Sequence, residues 1–190
     1  GGEFLFRNSE VKGNVYGGVA AANVINGTLS VSGGTTVLEN ATVGSMLVGG
    51  YAQHFLSSGD VSVTGTRVVM NGDSAATHVT GGSVFVEAGR DDIAVEIADN
   101  VVELNGGTVS GNVYASFIHV EDADVSANVH DNVVILRGSV DLARADLAGF
   151  VAEQGSSGSL NVTGSGNGLV VDGWSGSVNN INNFDYIKFT

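Results

Sequence analysis

Four histidines, His54, His78, His119 and His130, are the side chains best suited to acid–base chemistry in this chain. A serine hydrolase requires a serine, a histidine and a carboxylate that converge in space. None of the four lies in a GxSxG motif, which would place a serine on a tight strand-to-helix turn. We therefore expect them to be surface side chains and not members of a catalytic triad.

Clusters of carboxylates are the second group of candidates for chemistry. Arg90 and Asp91 belong to the segment "EAGRDD" (87–92), and Glu121, Asp122 and Asp124 form another cluster. Polysaccharide-cleaving enzymes use carboxylates at defined separations, or a metal ion with a base. Because the chain has only seven lysines and arginines, an acidic sugar is a poor substrate. Solvated charges at turns are the competing interpretation.

The glycine-rich segment "GNVYGGVA" (13–20) could in principle cradle a phosphate group. Such a loop follows a strand, opens a helix and usually carries a lysine. The segment contains no lysine, and no helical pattern follows it. We therefore predict no nucleotide site and no other cofactor, and interpret the segment as one unit of a repeat.

Three kinds of apolar segment recur in the same order about every 33 residues. The first begins with a large side chain, at Tyr16, Leu47, Phe85, Tyr114 and Leu147. The second alternates apolar and polar residues: "TLSVSG" (28–33), "DVSVTG" (60–65), "IAVEIA" (93–98), "ADVSAN" (123–128) and "SLNVTG" (159–164). The third recurs at intervals of 32, 34, 32 and 35 residues: "TVLEN" (36–40), "VVMNG" (68–72), "VELNG" (102–106), "VILRG" (134–138) and "LVVDG" (169–173).

This repeat predicts an all-β fold, a parallel β-helix (β-solenoid) of about five coils with three short strands each. One unit of three short strands has no second layer on which to bury its valines, whereas stacked units build a continuous core. The 29 glycines suit tight corners, and the absence of proline suits strands paired on both sides. Two smaller, two-stranded coils per repeat are the alternative.

Several local features have two interpretations. Asn100, Asn132 and Asn167 precede the third strand, where they could stack along the rod or lie in surface turns. The segment 141–154 is interpreted as a strand, a turn and another strand, with a short external helix at 141–148 as the alternative. "DSAATH" (73–78) lengthens one interval to 38 residues and is expected, like 87–92, to be a loop on the contact side.

Aromatic side chains and loop charges supply the candidates for partner binding. Tyr51, His54 and Phe55 lie where a strand is expected to end, and Arg90 and Asp91 lie in the 87–92 loop. We predict these five residues as a contact face. The aromatic residues that begin the first segments are expected to pack in the core or at corners: Tyr16, Phe85 and Tyr114.

Charge and composition restrict the possible partners. The net charge of −13 and pI of about 4.3 argue against nucleic acid and anionic membranes. No apolar run approaches the ~20 residues of a membrane-spanning helix, so direct membrane insertion by this chain is not expected. Without cysteine, disulfides and thiolate chemistry are excluded. We divide the chain into residues 1–10 (a cloning remnant and an N-terminal edge strand), the repeats 11–173 and a closing or capping segment 174–190.

The tile "GNVYGG", alternating segments such as "GTLSVSGG" and the closing "VNNINNFDYIKFT" (178–190) resemble the passenger regions of bacterial autotransporter-type surface proteins. The resemblance extends from residue 11 onward and lies in the style of the repeats. It implies a right-handed parallel β-helix, displayed on the extracellular side of the outer membrane or secreted. Later tiles, "GSMLVGG" and "GNVYASF", depart from the full motif, and no protease module accompanies the repeats.

The resemblance also implies a function. We expect a non-enzymatic adhesive segment that mediates attachment or self-association. Its expected partner is a host surface glycan or protein, or the same protein on another cell. A carbohydrate-active β-helix, either a glycosidase or a lyase, is the alternative from another class, and a spacer that binds nothing is a third. Convergent carboxylates in a groove would distinguish the enzyme from the adhesin.

Overall fold

The computed structural model describes residues 2–23, 27–55, 59–87 and 93–190, and this part of the chain contains strands and turns but no helix. The strands pair in parallel in three sheets of seven, nine and five strands, stacked as a β-solenoid of about five turns. The predicted all-β solenoid is therefore confirmed. The alternative helix at 141–148 is wrong, because residues 142–154 form one strand.

The strands have the following bounds in chain order. They are β1 (Glu3–Arg7), β2 (Glu10–Val11), β3 (Val15–Tyr16), β4 (Val19–Ala22), β5 (Leu29–Ser32), β6 (Thr35–Glu39), β7 (Thr42–Phe55), β8 (Val61–Thr64), β9 (Arg67–Asn71), β10 (Ala75–Glu87), β11 (Ile93–Ala98), β12 (Val101–Leu104), β13 (Thr108–Val109), β14 (Val113–Glu121), β15 (Ala123–His130), β16 (Val133–Arg137), β17 (Leu142–Gln154), β18 (Gly158–Ser165), β19 (Gly168–Asp172), β20 (Val178–Asn182) and β21 (Tyr186–Phe189).

Each turn contributes one segment to each sheet. In the second turn, β7 belongs to the nine-stranded sheet, β8 to the five-stranded sheet and β9 to the seven-stranded sheet. One coil per repeat is thus correct, and two smaller coils per repeat is wrong. The prediction of three short strands needs one correction, because β7, β10 and β17 run for 13 or 14 residues.

The third series of segments predicts the pairing in the seven-stranded sheet to the residue. Its first residues lie side by side in the sheet: Thr36, Val68, Val102, Val134 and Leu169. The first series does not predict its pairing, since Leu47 pairs with Val15 and Val79 and not with Tyr16 and Phe85. The prediction that 73–78 forms an inserted loop is also wrong, because Ala75 pairs with Thr42 inside the sheet.

The long strands of the nine-stranded sheet serve two cores. Leu47 packs in a cluster with side chains of the seven-stranded sheet, such as Leu38 and Met70. Ala52, five residues later, packs with Val63 of the five-stranded sheet in a second cluster. Small residues divide these strands into a first limb, which packs on the first core, and a second limb, which packs on the second core. They occur at equivalent places in successive turns: Gly17–Gly18, Gly49–Gly50, Gly81–Gly82, Ala115–Ser116 and Gly149.

A buried ladder of polar side chains lies between the two cores. We call it the asparagine ladder, and it consists of Thr66, Asn100, Asn132 and Asn167, all fully buried. The amide of Asn100 donates to Oδ1 of Asn132 at 2.9 Å, and the amide of Asn132 donates to Oδ1 of Asn167 at 3.0 Å. The stacked arrangement is therefore the correct interpretation of these asparagines, and the surface-turn alternative is wrong.

The ladder explains why small residues divide the long strands. A Cβ atom at Gly82 would lie 2.6 Å from the amide nitrogen of Asn100, which is closer than real Cβ contacts. A Cβ atom at Gly149 would lie 3.1 Å from the Cβ atom of Asn167. The repeated glycines thus make room for the asparagine side chains that separate the two cores.

The residue before each ladder position adopts a left-handed backbone. Gly65, Asp99, Asp131 and Gly166 precede the four ladder residues, Gly33 lies at the equivalent corner one turn earlier, and their φ angles lie between 55° and 72°. Glycine and aspartate tolerate this region better than most residues. The corner therefore turns the chain from the five-stranded sheet to the seven-stranded sheet in every turn.

The first and last strands extend the sheets beyond the five turns. β1 pairs with β6 at one edge of the seven-stranded sheet, and β21 pairs with β19 at the other edge. Trp174 packs against the first core, and its indole N–H donates to the carbonyl of Val140 at 2.8 Å. Large apolar side chains remain exposed on β20 and β21, among them Ile181, Ile187 and Phe189.

Candidate functional site

The outer face of the nine-stranded sheet concentrates aromatic side chains. Beyond the small residues, side chains alternate between the second core and this outer face. Parallel pairing aligns the outward residues in columns: Tyr51, Ser83, Phe117 and Val151 form one, and Gln53, Phe85, His119 and Glu153 form the next. Aromatic rings from successive turns are therefore neighbours on one surface.

The rings on this face contact one another in pairs. The centroids of Tyr16 and Tyr51 are 5.1 Å apart, and Phe85 stacks on His119 at 5.0 Å with planes 3° apart. Tyr114 and Phe117 stack at 6.0 Å. Pairing holds each ring in place while leaving part of it open to solvent, and Tyr16 is 36% exposed.

A cavity of about 210 Å³ lies where the two limbs of the sheet meet. It is lined by Met46, His78, Thr80, Asn112, Tyr114, Phe117 and Glu153. The backbone N–H of Asn112 donates to Nδ1 of His78 at 3.1 Å, which fixes that imidazole at the wall. Of the rings, Tyr114 and Phe117 line this cavity. We call the cavity and the three ring pairs of the same sheet (Tyr16, Tyr51, Phe85, Tyr114, Phe117 and His119) the aromatic groove.

The groove is electrostatically negative. Burial, and after it the carboxylates of Asp146 and Glu153, raises the pKa of Tyr114. Burial, and after it the neighbouring Tyr16, raises the pKa of Tyr51. Both phenols therefore stay protonated at neutral pH and can donate hydrogen bonds to a bound molecule.

Two carboxylates flank the imidazole of His119. Nδ1 of His119 lies 3.3 Å from the carboxylate of Glu153, and Nε2 lies 3.9 Å from that of Glu121. The side chains of Glu121 and Glu153 are 46% and 55% exposed. They therefore orient the ring of His119, and both carboxylates remain open to solvent.

The predicted contact residues separate in the structure. Tyr51 lies in the aromatic groove, and Phe55 lies half-buried at the end of β7. His54 is fully buried beneath the sheet, which removes it from any contact face, and its burial lowers its pKa. Arg90 and Asp91 lie outside the described residues, as does all of the predicted 87–92 loop except Glu87, which ends β10.

The positions predicted from the sequence for other groove residues differ from those in the structure. Tyr16, Phe85 and Tyr114 were expected in the core or at corners, whereas Phe85 and Tyr114 lie half-buried in the groove and Tyr16 is exposed. Phe117 and His119 also lie on this outer face, and the sequence predictions named neither as part of an aromatic surface. Their signal was the alternation in "YASFIHVE" (114–121), which places both on the face opposite Ile118 and Val120.

The predicted carboxylate cluster is divided among three places. Glu121 belongs to the outer face of the nine-stranded sheet, and Asp122 forms a corner with a φ of 56°. Asp124 lies on the five-stranded sheet, where it accepts a hydrogen bond from the hydroxyl of Ser159 at 2.7 Å. The three therefore do not converge on one substrate.

The described residues lack two kinds of feature. No group of three or more histidines, aspartates and glutamates is arranged to hold a metal ion. A helix with the length and apolar character of a membrane span is also absent there. Comparison with protein-family models, with curated proteins and with solved structures found no match for this chain.

Proposed function

We propose that this chain is a non-enzymatic adhesive segment of a bacterial surface or secreted protein of the autotransporter type, and that it attaches to a partner through the aromatic groove. The observation that carries the proposal is the row of part-exposed rings from four successive turns. Aromatic side chains dominate the energetics of binding surfaces because they bury a large area at a low cost in conformational entropy. The style of the repeats supports display on the cell surface.

The charge of the groove defines the partner's chemistry. Glu87, Glu121 and Glu153 lie on its margin. No lysine or arginine occurs on the described outer face of the sheet beyond the dividing small residues, where these three glutamates lie. Like charges placed opposite one another weaken binding. A neutral host glycan, or a host protein that presents basic side chains, therefore suits the groove better than an acidic glycan.

A solution binding screen tests this proposal. The wild-type protein is applied to an array of neutral, acidic and basic glycans and of matrix proteins, beside the variant Y51A/F117A. We expect binding to neutral or basic components, and a loss of about tenfold or more in the variant. The matched control is S126A/N128A, which changes two exposed residues on the five-stranded sheet.

Each outcome of the screen has a clear meaning. Binding that is equal in Y51A/F117A and wild type would place the contact outside the groove. Binding to no component would favour the spacer. Circular dichroism of all three proteins shows whether the variants keep the fold.

A carbohydrate-active enzyme is the second candidate, because Glu121 and Glu153 flank the same imidazole. The exposure of both carboxylates argues against it, as described above. Incubation with soluble polysaccharides, followed by measurement of new reducing ends, tests this candidate. Product formed by wild type and lost in Glu153→Gln would establish the enzyme and overturn the adhesive proposal.

A further inference from the structure

The outer face of the seven-stranded sheet carries an aliphatic stripe. Parallel pairing aligns Leu5, Val37, Val69, Ile135 and Val170 in one column, which Glu103 interrupts and Lys188 of β21 ends. Val101 and Val133 lie in the adjacent column. All of these aliphatic side chains are partly or largely exposed, and Leu5 is 47% exposed.

The same face is neutral on a strongly acidic molecule. Its basic residues are Arg7, Arg67, Arg137 and Lys188, and its acidic residues are Glu3, Glu39, Glu103 and Asp172. Four of the seven basic residues of the chain thus lie opposite four of its twenty acidic residues. The rest of the chain has three basic and sixteen acidic residues, so it carries the whole net charge of −13.

Six of the eight charged residues of this face are already paired with one another. Glu103, whose side chain is 8% exposed, is bound by Arg67 and Arg137 from the neighbouring turns. Arg137 also donates to Asp172 at 2.8 Å, and Arg7 lies 2.7 Å from Glu39. When a partner covers the face, each of these paired charges therefore keeps its counter-ion.

We infer that a second copy of this chain docks on the outer face of the seven-stranded sheet, with the two faces packed against each other about a twofold axis. Two copies that approach through any strongly acidic surface repel, whereas this face brings together aliphatic columns and internally neutralised charges. An isologous contact of this kind closes at two copies. It lies on a different sheet from the aromatic groove and does not rest on the proposed function.

The size of the face sets the expected affinity. Seven strands at about 4.8 Å spacing and five residues at about 3.3 Å give a face of roughly 500 Å². A stable specific interface buries about 800 Å² on each partner. The dimer is therefore weak in solution and becomes effective where many copies are displayed close together.

Sedimentation velocity over a concentration series from micromolar to millimolar tests the inference. We expect wild type to pass from monomer to dimer, and V69K/I135K to remain monomeric with association weakened by about tenfold or more. The control S62K/S126K adds the same positive charge to the outer face of the five-stranded sheet. Both variants reduce the general repulsion between copies, so a loss confined to V69K/I135K identifies the face.

Salt and stoichiometry supply independent readouts. Added salt screens repulsion between the acidic surfaces, so wild-type association should strengthen as ionic strength rises. The inference is overturned if wild type stays monomeric throughout, if V69K/I135K associates like wild type, or if growth continues beyond two copies through the exposed end strands. Y51A/F117A should dimerise normally, which separates this inference from the proposed function.

Discussion

Single buried side chains give the solenoid a pH dependence that composition does not reveal. His54 lies in the column of β7 that points into the second core, where Val86 occupies the same place one turn later. Burial lowers its pKa, because the charged imidazolium loses its hydration there. His130 lies near the surface, and its hydrogen bond to Asp131, with a further contribution from Glu96, raises its pKa.

The variant His54→Val should reduce sensitivity to acid. An unfolded chain protonates His54 below a pKa of about 6.5, whereas the folded chain resists that proton, so stability falls as pH decreases. The slope is at most about 1.4 kcal/mol per pH unit for one proton. Urea unfolding of both proteins between neutral pH and pH 5 measures it, and equal acid losses would contradict this role of His54.

His130 should act with the opposite sign. Its raised pKa means that it stabilises the fold at a pH below its unfolded value of about 6.5, and this contribution is lost as pH rises through the folded value. The difference in unfolding free energy between wild type and His130→Gln should therefore be larger at pH 5 than at pH 8. A difference that does not change with pH would show that the hydrogen bonds of His130 add no net stability.

At the scale of elements, the asparagine ladder joins successive turns. The side-chain carbonyls of Asn132 and Asn167 each accept from the side-chain amide of the previous turn, and that of Asn100 accepts from the hydroxyl of Thr66 at 2.7 Å. The backbone N–H of Asn167 donates to Asp185 at 2.8 Å. The amide of Asn132 also donates to the carbonyl of Ile97 at 2.9 Å. Removal of one member leaves buried donors and acceptors without partners, which costs more than the hydrogen bonds themselves contribute.

We expect Asn132→Ala to lower the free energy of unfolding by about 2–4 kcal/mol. The matched control is Asn128→Ala, an exposed asparagine of the same strand region, which should change stability by less than about 0.5 kcal/mol. Urea denaturation of both variants measures the difference. Equal effects would show that the ladder adds nothing beyond ordinary surface hydrogen bonds.

The elements differ in how far their sequence predicts them. In the seven-stranded sheet, most segments have an apolar pair or triplet followed by polar turn residues, so the pattern defines their register from Thr36 to Leu169. In the nine-stranded sheet, small residues divide each of the long strands β7, β10, β14 and β17 between two cores, so the apolar period changes within one strand. Large residues such as Tyr16 and Phe85 then look equivalent although they lie in different columns.

The same change of the apolar period within one strand explains why the aromatic groove was not predicted from the sequence. Ring residues that recur beside glycines resemble core positions as long as the strand is taken to be short. Once Gly49–Gly50 and Gly81–Gly82 are recognised as interior to long strands, the rings fall on the outer face. The contacts between rings of adjacent turns, such as that of Phe85 with His119, depend on pairing that a single sequence does not specify.

At the scale of the whole molecule, the surfaces have distinct character. The nine-stranded sheet presents aromatic rings with acidic margins, and the seven-stranded sheet presents an aliphatic and neutral face. A display of many parallel copies would use the first surface for attachment and the second for lateral contact. Both contacts are small, so their strength depends on the number displayed.

The central claim is that the aromatic groove makes the attachment, and adhesion of protein-coated beads to host matrix measures it most directly. Beads coated densely with wild type or with the S126A/N128A control should adhere under flow. Beads coated with Y51A/F117A at the same density should detach like uncoated beads. Equal adhesion of the groove variant and wild type would contradict the account.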